Sequence, residues 1–289
     1  MFGIFSKHVS LAYAVQQPKP GKSSEPEKSL FGTWWFYVVI AVLVYFVAFW
    51  VLKPIGSAEL AASVEALQFM ALAAFSTLVF AIVAHKFKWL NTKTGQIMTS
   101  ITIGFILYTI AESIYFVLAL SYGPVSVPVP SAADIFWVSA YIPFAAAFVL
   151  AIRAIRMKFT RAMLGLWIVL SAAILVVVIG VIVAPVVVSA TGPDAFSTDF
   201  SMVYPFEDVV IIVLVLVILL KFRSGEVAKP WAVLILGFIL TAVGDIWFGY
   251  ATYMNTYSIA YDPVDFFLSL GYLASIAAGL LFTRSYGKR

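Results

Sequence analysis

From residue 31 onward, long apolar runs alternate with short polar breaks that carry the charges. About 20 consecutive apolar residues cross the hydrocarbon core of a bilayer as a helix. The runs predict eight helices, at 31–53, 60–84, 97–121, 132–153, 162–189, 203–222, 230–254 and 264–284. The alternating pattern of a membrane β-barrel strand is absent, so the spans are helices. The fold class is all-α, a polytopic membrane protein of about eight transmembrane helices. Residues 1–30 stand apart: "QQPKPGKSSEPEKS" is polar and rich in Pro, Lys and Ser, which predicts a flexible tail. The apolar segment before it is too short to span and suits a surface anchor, a disordered start or a signal segment.

Composition fits this reading. Of 289 residues, 63% are hydrophobic and 11% charged, against about 25% charged in a soluble domain. With no cysteine, disulfides, thiolate ligands and cysteine nucleophiles are excluded. His8 and His85 are the only histidines, which rules out a three-histidine metal site and disfavours a bis-histidine haem. No metal-ligand spacing, nucleophile–base pair or cofactor motif emerges.

Charge sorts by side. Seventeen of the 18 Lys and Arg residues fall in the tail, the second, fourth and sixth breaks, or the C-terminus; Lys53 is the exception. By the positive-inside rule both termini are cytoplasmic, and the protein sits in the cell membrane. Eleven of the 14 acids fall on the outer side, among them Glu59, Glu65, Glu112, Asp134, Glu207, Asp208, Asp245 and Asp265. The net charge of +4 therefore hides a dipolar molecule. Its basic inner face suits the anionic headgroups of the lipid bilayer. The short basic loops lack interleaved aromatics and do not describe a nucleic-acid surface.

A repeat emerges from two of the runs. "GFILYTIAESIYF" (Gly104 to Phe116) and "GFILTAVGDIWFG" (Gly237 to Gly249) share four residues, and each places an acid eight positions after the glycine, Glu112 and Asp245. Further on, Asp134 aligns with Asp265, Phe136 with Phe267 and Tyr141 with Tyr272. Helices three and four thus recur as seven and eight. A shift of four helices preserves orientation, giving a tandem parallel repeat rather than an inverted one. Its halves are 31–158 and 159–289.

The acids are the candidate chemistry. Glu112 lies 19 residues after Lys93, up to about 28 Å along a helix. An ionised carboxylate at membrane depth costs several kcal/mol unless paired. Tyr108 and Tyr115 share the face of Glu112. Asp134 and Asp265 begin their helices, where a carboxylate caps free backbone N–H groups. Glu207 and Asp208, at the start of helix six, read as a capping pair beside water or as further pocket acids. The bland reading of Glu112 and Asp245 is a protonated carboxyl tying helices together. Trp137, Trp247 and Tyr250 suit an interface belt. The functional reading gathers Glu112, Asp134, Asp245, Asp265, Glu207 and Asp208 with Tyr108, Tyr115, Tyr141, Trp247 and Tyr272 into an outward-facing, aromatic-lined pocket. It would pair Glu112 with Asp134 and Asp245 with Asp265, and would take a cation, a proton or a small cationic or aromatic ligand.

Pro263, Asp265, Gly271 and Tyr272, with Asp245 before them, resemble the multi-pass sensor region that precedes diguanylate cyclase or histidine kinase modules. The first half departs from that pattern, with Ala140 for the glycine and Pro130 four residues before Asp134. The resemblance implies signal sensing by the membrane bundle. No kinase or cyclase module follows Arg284, so the signal is expected to pass to a membrane or cytoplasmic protein partner. "VGDIWF" and "AESIYF" are also similar to motifs of the eight-helical lysoplasmalogenase family, which implies a membrane hydrolase. The leading expectation is a non-catalytic sensor, receptor-like protein or accessory subunit. The alternatives are an ion or small-molecule transporter and the hydrolase.

Overall fold

The computed structural model describes residues 34–55, 57–123, 127–128, 130–154, 160–180, 203–221, 228–254, 256 and 264–285. The tail at 1–30 and the expected continuation of the fifth span beyond 180 lie outside the described residues. The chain divides into two compact units, 1–57 and 58–289. In the first, helix α1 (Trp34–Leu52) is followed by a 3-10 turn (Lys53–Ile55), and the Lys53 ammonium lies 4.5 Å above the Trp50 ring.

The second unit holds α2 (Ala58–Lys86), α3 (Lys93–Tyr122), α4 (Ala132–Ala154), α5 (Arg161–Val178), α6 (Val203–Lys221), α7 (Ala228–Tyr253) and α8 (Val264–Ser285). All seven are long and apolar enough to cross a membrane, and no strand occurs among the described residues. The chain is a multi-pass, all-helical membrane protein. Its exterior is correspondingly greasy: Val117, Leu120, Ile135, Ile142 and Val210 are all exposed, as expected where lipid is the solvent.

The helices pack as a closed ring in the order α2, α3, α4, α6, α7, α8 and back to α2, with α5 outside against α6. Two stretches of the ring, α2–α3–α4 and α6–α7–α8, carry the two GFIL segments on their middle helices. Helix ends bearing Lys86, Lys93, Arg153, Arg161 and Arg284 gather at one end of the unit, the basic end; Lys86 Nζ donates to the Thr283 carbonyl at 2.5 Å. Local capping fixes that end. Thr92 Oγ1 accepts from Gly95 N at 2.9 Å at the start of α3, and Thr160 Oγ1 accepts from Met163 N at 3.2 Å at the start of α5.

Toward the basic end the ring is filled by aromatics. Phe144 meets Phe105 at 5.1 Å and Phe238 at 4.9 Å, and Phe148 meets Phe238 at 5.1 Å, all edge to face, the favoured geometry for such pairs. The first glycine of each GFIL segment makes this packing fit. A Cβ on Gly104 would stand 2.6 Å from Phe144 Cδ1, and one on Gly237 would stand 2.8 Å from Ser275 Oγ. Phe144 and Ser275 are 131 residues apart, the same offset that aligns Tyr141 with Tyr272. The glycine therefore recurs because each following helix crosses tightly at that point.

Candidate functional site

The other half of the ring, at the acidic end, carries a layer of carboxyls and tyrosines. Five helices bring it together, and each carboxyl meets a tyrosine or tryptophan from another helix. On α3, Glu112 Oε1 accepts from Tyr272 Oη of α8 at 2.8 Å and from Trp137 Nε1 of α4 at 3.2 Å. On α4, Tyr141 Oη donates to Asp208 Oδ1 of α6 at 2.8 Å and lies 3.4 Å from Asp245 Oδ2 of α7. One hydroxyl, that of Tyr141, thus stands against both the Asp208 and the Asp245 carboxyls. Tyr108 stands between the two groups, its ring 6.3 Å from that of Tyr141 and 6.1 Å from that of Tyr272.

The tyrosines cross over. Tyr141 lies two residues short of Pro143 in α4 of the first stretch, yet reaches Asp245 of the second; Tyr272 of the second reaches Glu112 of the first. Hydrogen bonds between ionisable and neutral partners in a low-dielectric interior are stronger than in water. These two ties therefore hold the stretches against each other at the level of the acids.

Asp134 sits in the first turn of α4 and is buried. Its Oδ2 accepts from Ser131 N at 2.5 Å and Ser131 Oγ at 2.9 Å, while Ser131 Oγ accepts from Ala133 N at 3.2 Å. This is a capping box closed by an aspartate at the third helical position. The other oxygen of Asp134 accepts from Tyr204 of α6. Asp134 bonds to Ser131 and Tyr204, while Glu112 bonds to Tyr272 and Trp137. Replacing Asp134 with Ala is expected to cost about 1–2 kcal/mol through the lost cap and tie. Thermal unfolding in detergent measures it, and a variant as stable as wild type would dismiss both roles.

Asp265 is buried in the first turn of α8. Asp208 lies in the second turn of α6 and is 3% exposed, which takes it away from the waterside capping position expected for it; Glu207 beside it is half-buried. Tyr115 packs on Trp137, rings 5.6 Å apart. Trp247 stacks on Phe267 at 6.0 Å and, like Tyr250, is exposed, as an interface belt requires. Trp137, expected in that belt, instead turns its N–H onto Glu112.

Sequence reasoning missed Tyr204 and the pair of Gln68 and Ser269, joined at 3.1 Å between α2 and α8. Tyr204 had a signal: it precedes Asp208 by four residues and so shares its helical face. Among the described residues no group of three or more His, Asp or Glu is arranged to hold a metal ion. Comparison with protein-family models, curated proteins and solved structures found no match to the chain.

Proposed function

We propose that this protein is a membrane sensor, receptor-like and without catalytic chemistry of its own, that reads a proton or small cation at the Glu112–Asp245 layer. In this reading α1 is an eighth span, a four-helix unit has been duplicated in tandem, and the acidic end faces outward from the cell membrane. The observation that carries it is the crossover of Tyr141 and Tyr272 onto the acids of the opposite stretch. A proton or cation gained or lost at either acid changes the bond that the acid makes with its tyrosine. The tie between the stretches changes with it, and the helices can shift relative to each other. Their far ends carry the basic residues, which suit anionic lipid headgroups and a protein partner that receives the signal.

The filled axis supports sensing over transport. Between the acid layer and the basic end stand Phe105, Phe144, Phe148 and Phe238, all buried. A conducting path would have to pass through them. Ligand-dependent stability tests the proposal. Wild type and a Glu112→Gln, Asp245→Asn double variant are melted in detergent across pH and against cations and small polar ligands. A ligand that binds only the folded state at 100 times its Kd adds about 2.7 kcal/mol. The expected result is a stabilising shift in wild type that the double variant loses. Identical behaviour of the two proteins in every condition would refute the sensor.

A further inference from the structure

Tyr141 stands against two carboxyl groups and has one hydrogen to give. At 2.8 Å from Asp208 Oδ1 and 3.4 Å from Asp245 Oδ2, that hydrogen goes to Asp208. The remaining Asp208 oxygen, Oδ2, is sealed from solvent and has no donor among the described residues. Two ionised carboxylates on one hydroxyl are disfavoured, because like charges repel strongly at membrane depth. A positive charge belongs between them.

The rest of the unit cannot supply it. The chain has no Lys, Arg or His from 94 to 152, from 162 to 220, or from 230 to 283. The groups that face the pair are Glu207 and Tyr204 on α6, Tyr108 and Glu112 on α3, Tyr141 on α4 and Tyr272 on α8. All are hydroxyls or acids. Helix α5, packed on α6, offers only Arg161, at the basic end. A hard metal ion would need about six oxygens or more, and the described acids are not arranged to hold one.

The geometry points to a one-proton site: Asp208 and Asp245 share a single proton between their carboxyls, and Tyr141 closes the site from α4. The role of that proton as a signal rests on the sensor reading; the site itself does not. When the proton leaves, two like charges face each other across the α6–α7 contact. Tyr141 can then satisfy only one of them, and the junction of α4, α6 and α7 loosens.

Infrared difference spectra of the purified chain in detergent, from about pH 4 to about pH 9, test the site directly. Wild type is expected to show a protonated-carboxyl carbonyl band that shifts in heavy water and disappears as pH rises. Asp208→Asn and Asp245→Asn should each lose the band, and proton uptake over the range should fall by about one per molecule. Asparagine keeps the shape and adds an N–H donor, so both variants should fold. Should one not fold, Tyr141→Phe replaces it and must move the band by removing the hydrogen bond to Asp208. Absence of a band in wild type, or a band unmoved in every variant, overturns the site. A band that behaves as expected, with no accompanying change in protease sensitivity of the loops at the basic end, leaves the proton site standing and removes the sensor.

Discussion

Replacing Gly237 with leucine is expected to destroy the packing of α7 on α8 and leave a protein that unfolds or aggregates on extraction. A Cβ at this position would stand 2.8 Å from Ser275 Oγ and 2.9 Å from the Gly271 carbonyl. The second contact is backbone, so no rotamer change relieves it. Overpacking a tight interface costs about 1–3 kcal/mol, and more when backbone must move. In lipid, helix association depends on close backbone approach, because burying apolar surface gains little there. Gly165→Leu is the control, since nothing lies within 4 Å of a Cβ at that site on α5. Yield and size-exclusion profile read both variants. Equal, monodisperse recovery of Gly237→Leu and Gly165→Leu would mean that the α7–α8 crossing is not close in the membrane.

That glycine also marks what the sequence makes legible. Apolar run length placed the helices: 264–284 was expected and Val264–Ser285 is observed; 132–153 was expected and Ala132–Ala154 is observed. The matched spacing of Gly104 with Glu112 and Gly237 with Asp245 located the residues that pack and the residues that carry charge. Lateral order was not legible. Stretches such as 209–220 of α6 are apolar on every side, so periodicity cannot say which neighbour a face meets. Local spacing pointed to Glu112 with Tyr108 and Tyr115 on its own helix; the donors come instead from Tyr272 and Trp137. Trp137 was hidden because an indole near a helix end serves a membrane interface and a buried acid equally well.

The closed ring gives these details a common cause. Glu112 and Asp245 each sit on the middle helix of their stretch. A buried carboxyl must find donors, and the nearest hydroxyls lie across the ring axis. The tyrosine donors to Glu112, Asp208 and Asp245 therefore come from the opposite stretch, and satisfying the acids also clamps the ring.

Tyr141→Phe should accordingly cost more stability than Tyr272→Phe. Both substitutions remove one hydroxyl and leave the ring packing in place. Loss of Tyr141 takes away the only donor from outside the acid pair that reaches Asp208 or Asp245 among the described residues. Stripping a buried polar group of its partner costs about 1–3 kcal/mol, and more for a charged one. Loss of Tyr272 leaves Glu112 with the Trp137 N–H at 3.2 Å. That variant should lose only the net worth of one hydrogen bond, about 1 kcal/mol. Unfolding titrations in mixed micelles measure the difference, and Trp137→Phe supplies the internal check. In a Trp137→Phe background, Tyr272→Phe removes the last donor to Glu112 and should become as costly as Tyr141→Phe. Two sites that share no partner would add instead. If Tyr272→Phe costs the same with and without Trp137, the two donors do not share Glu112. The acid layer would then not be the clamp between the stretches that its geometry describes.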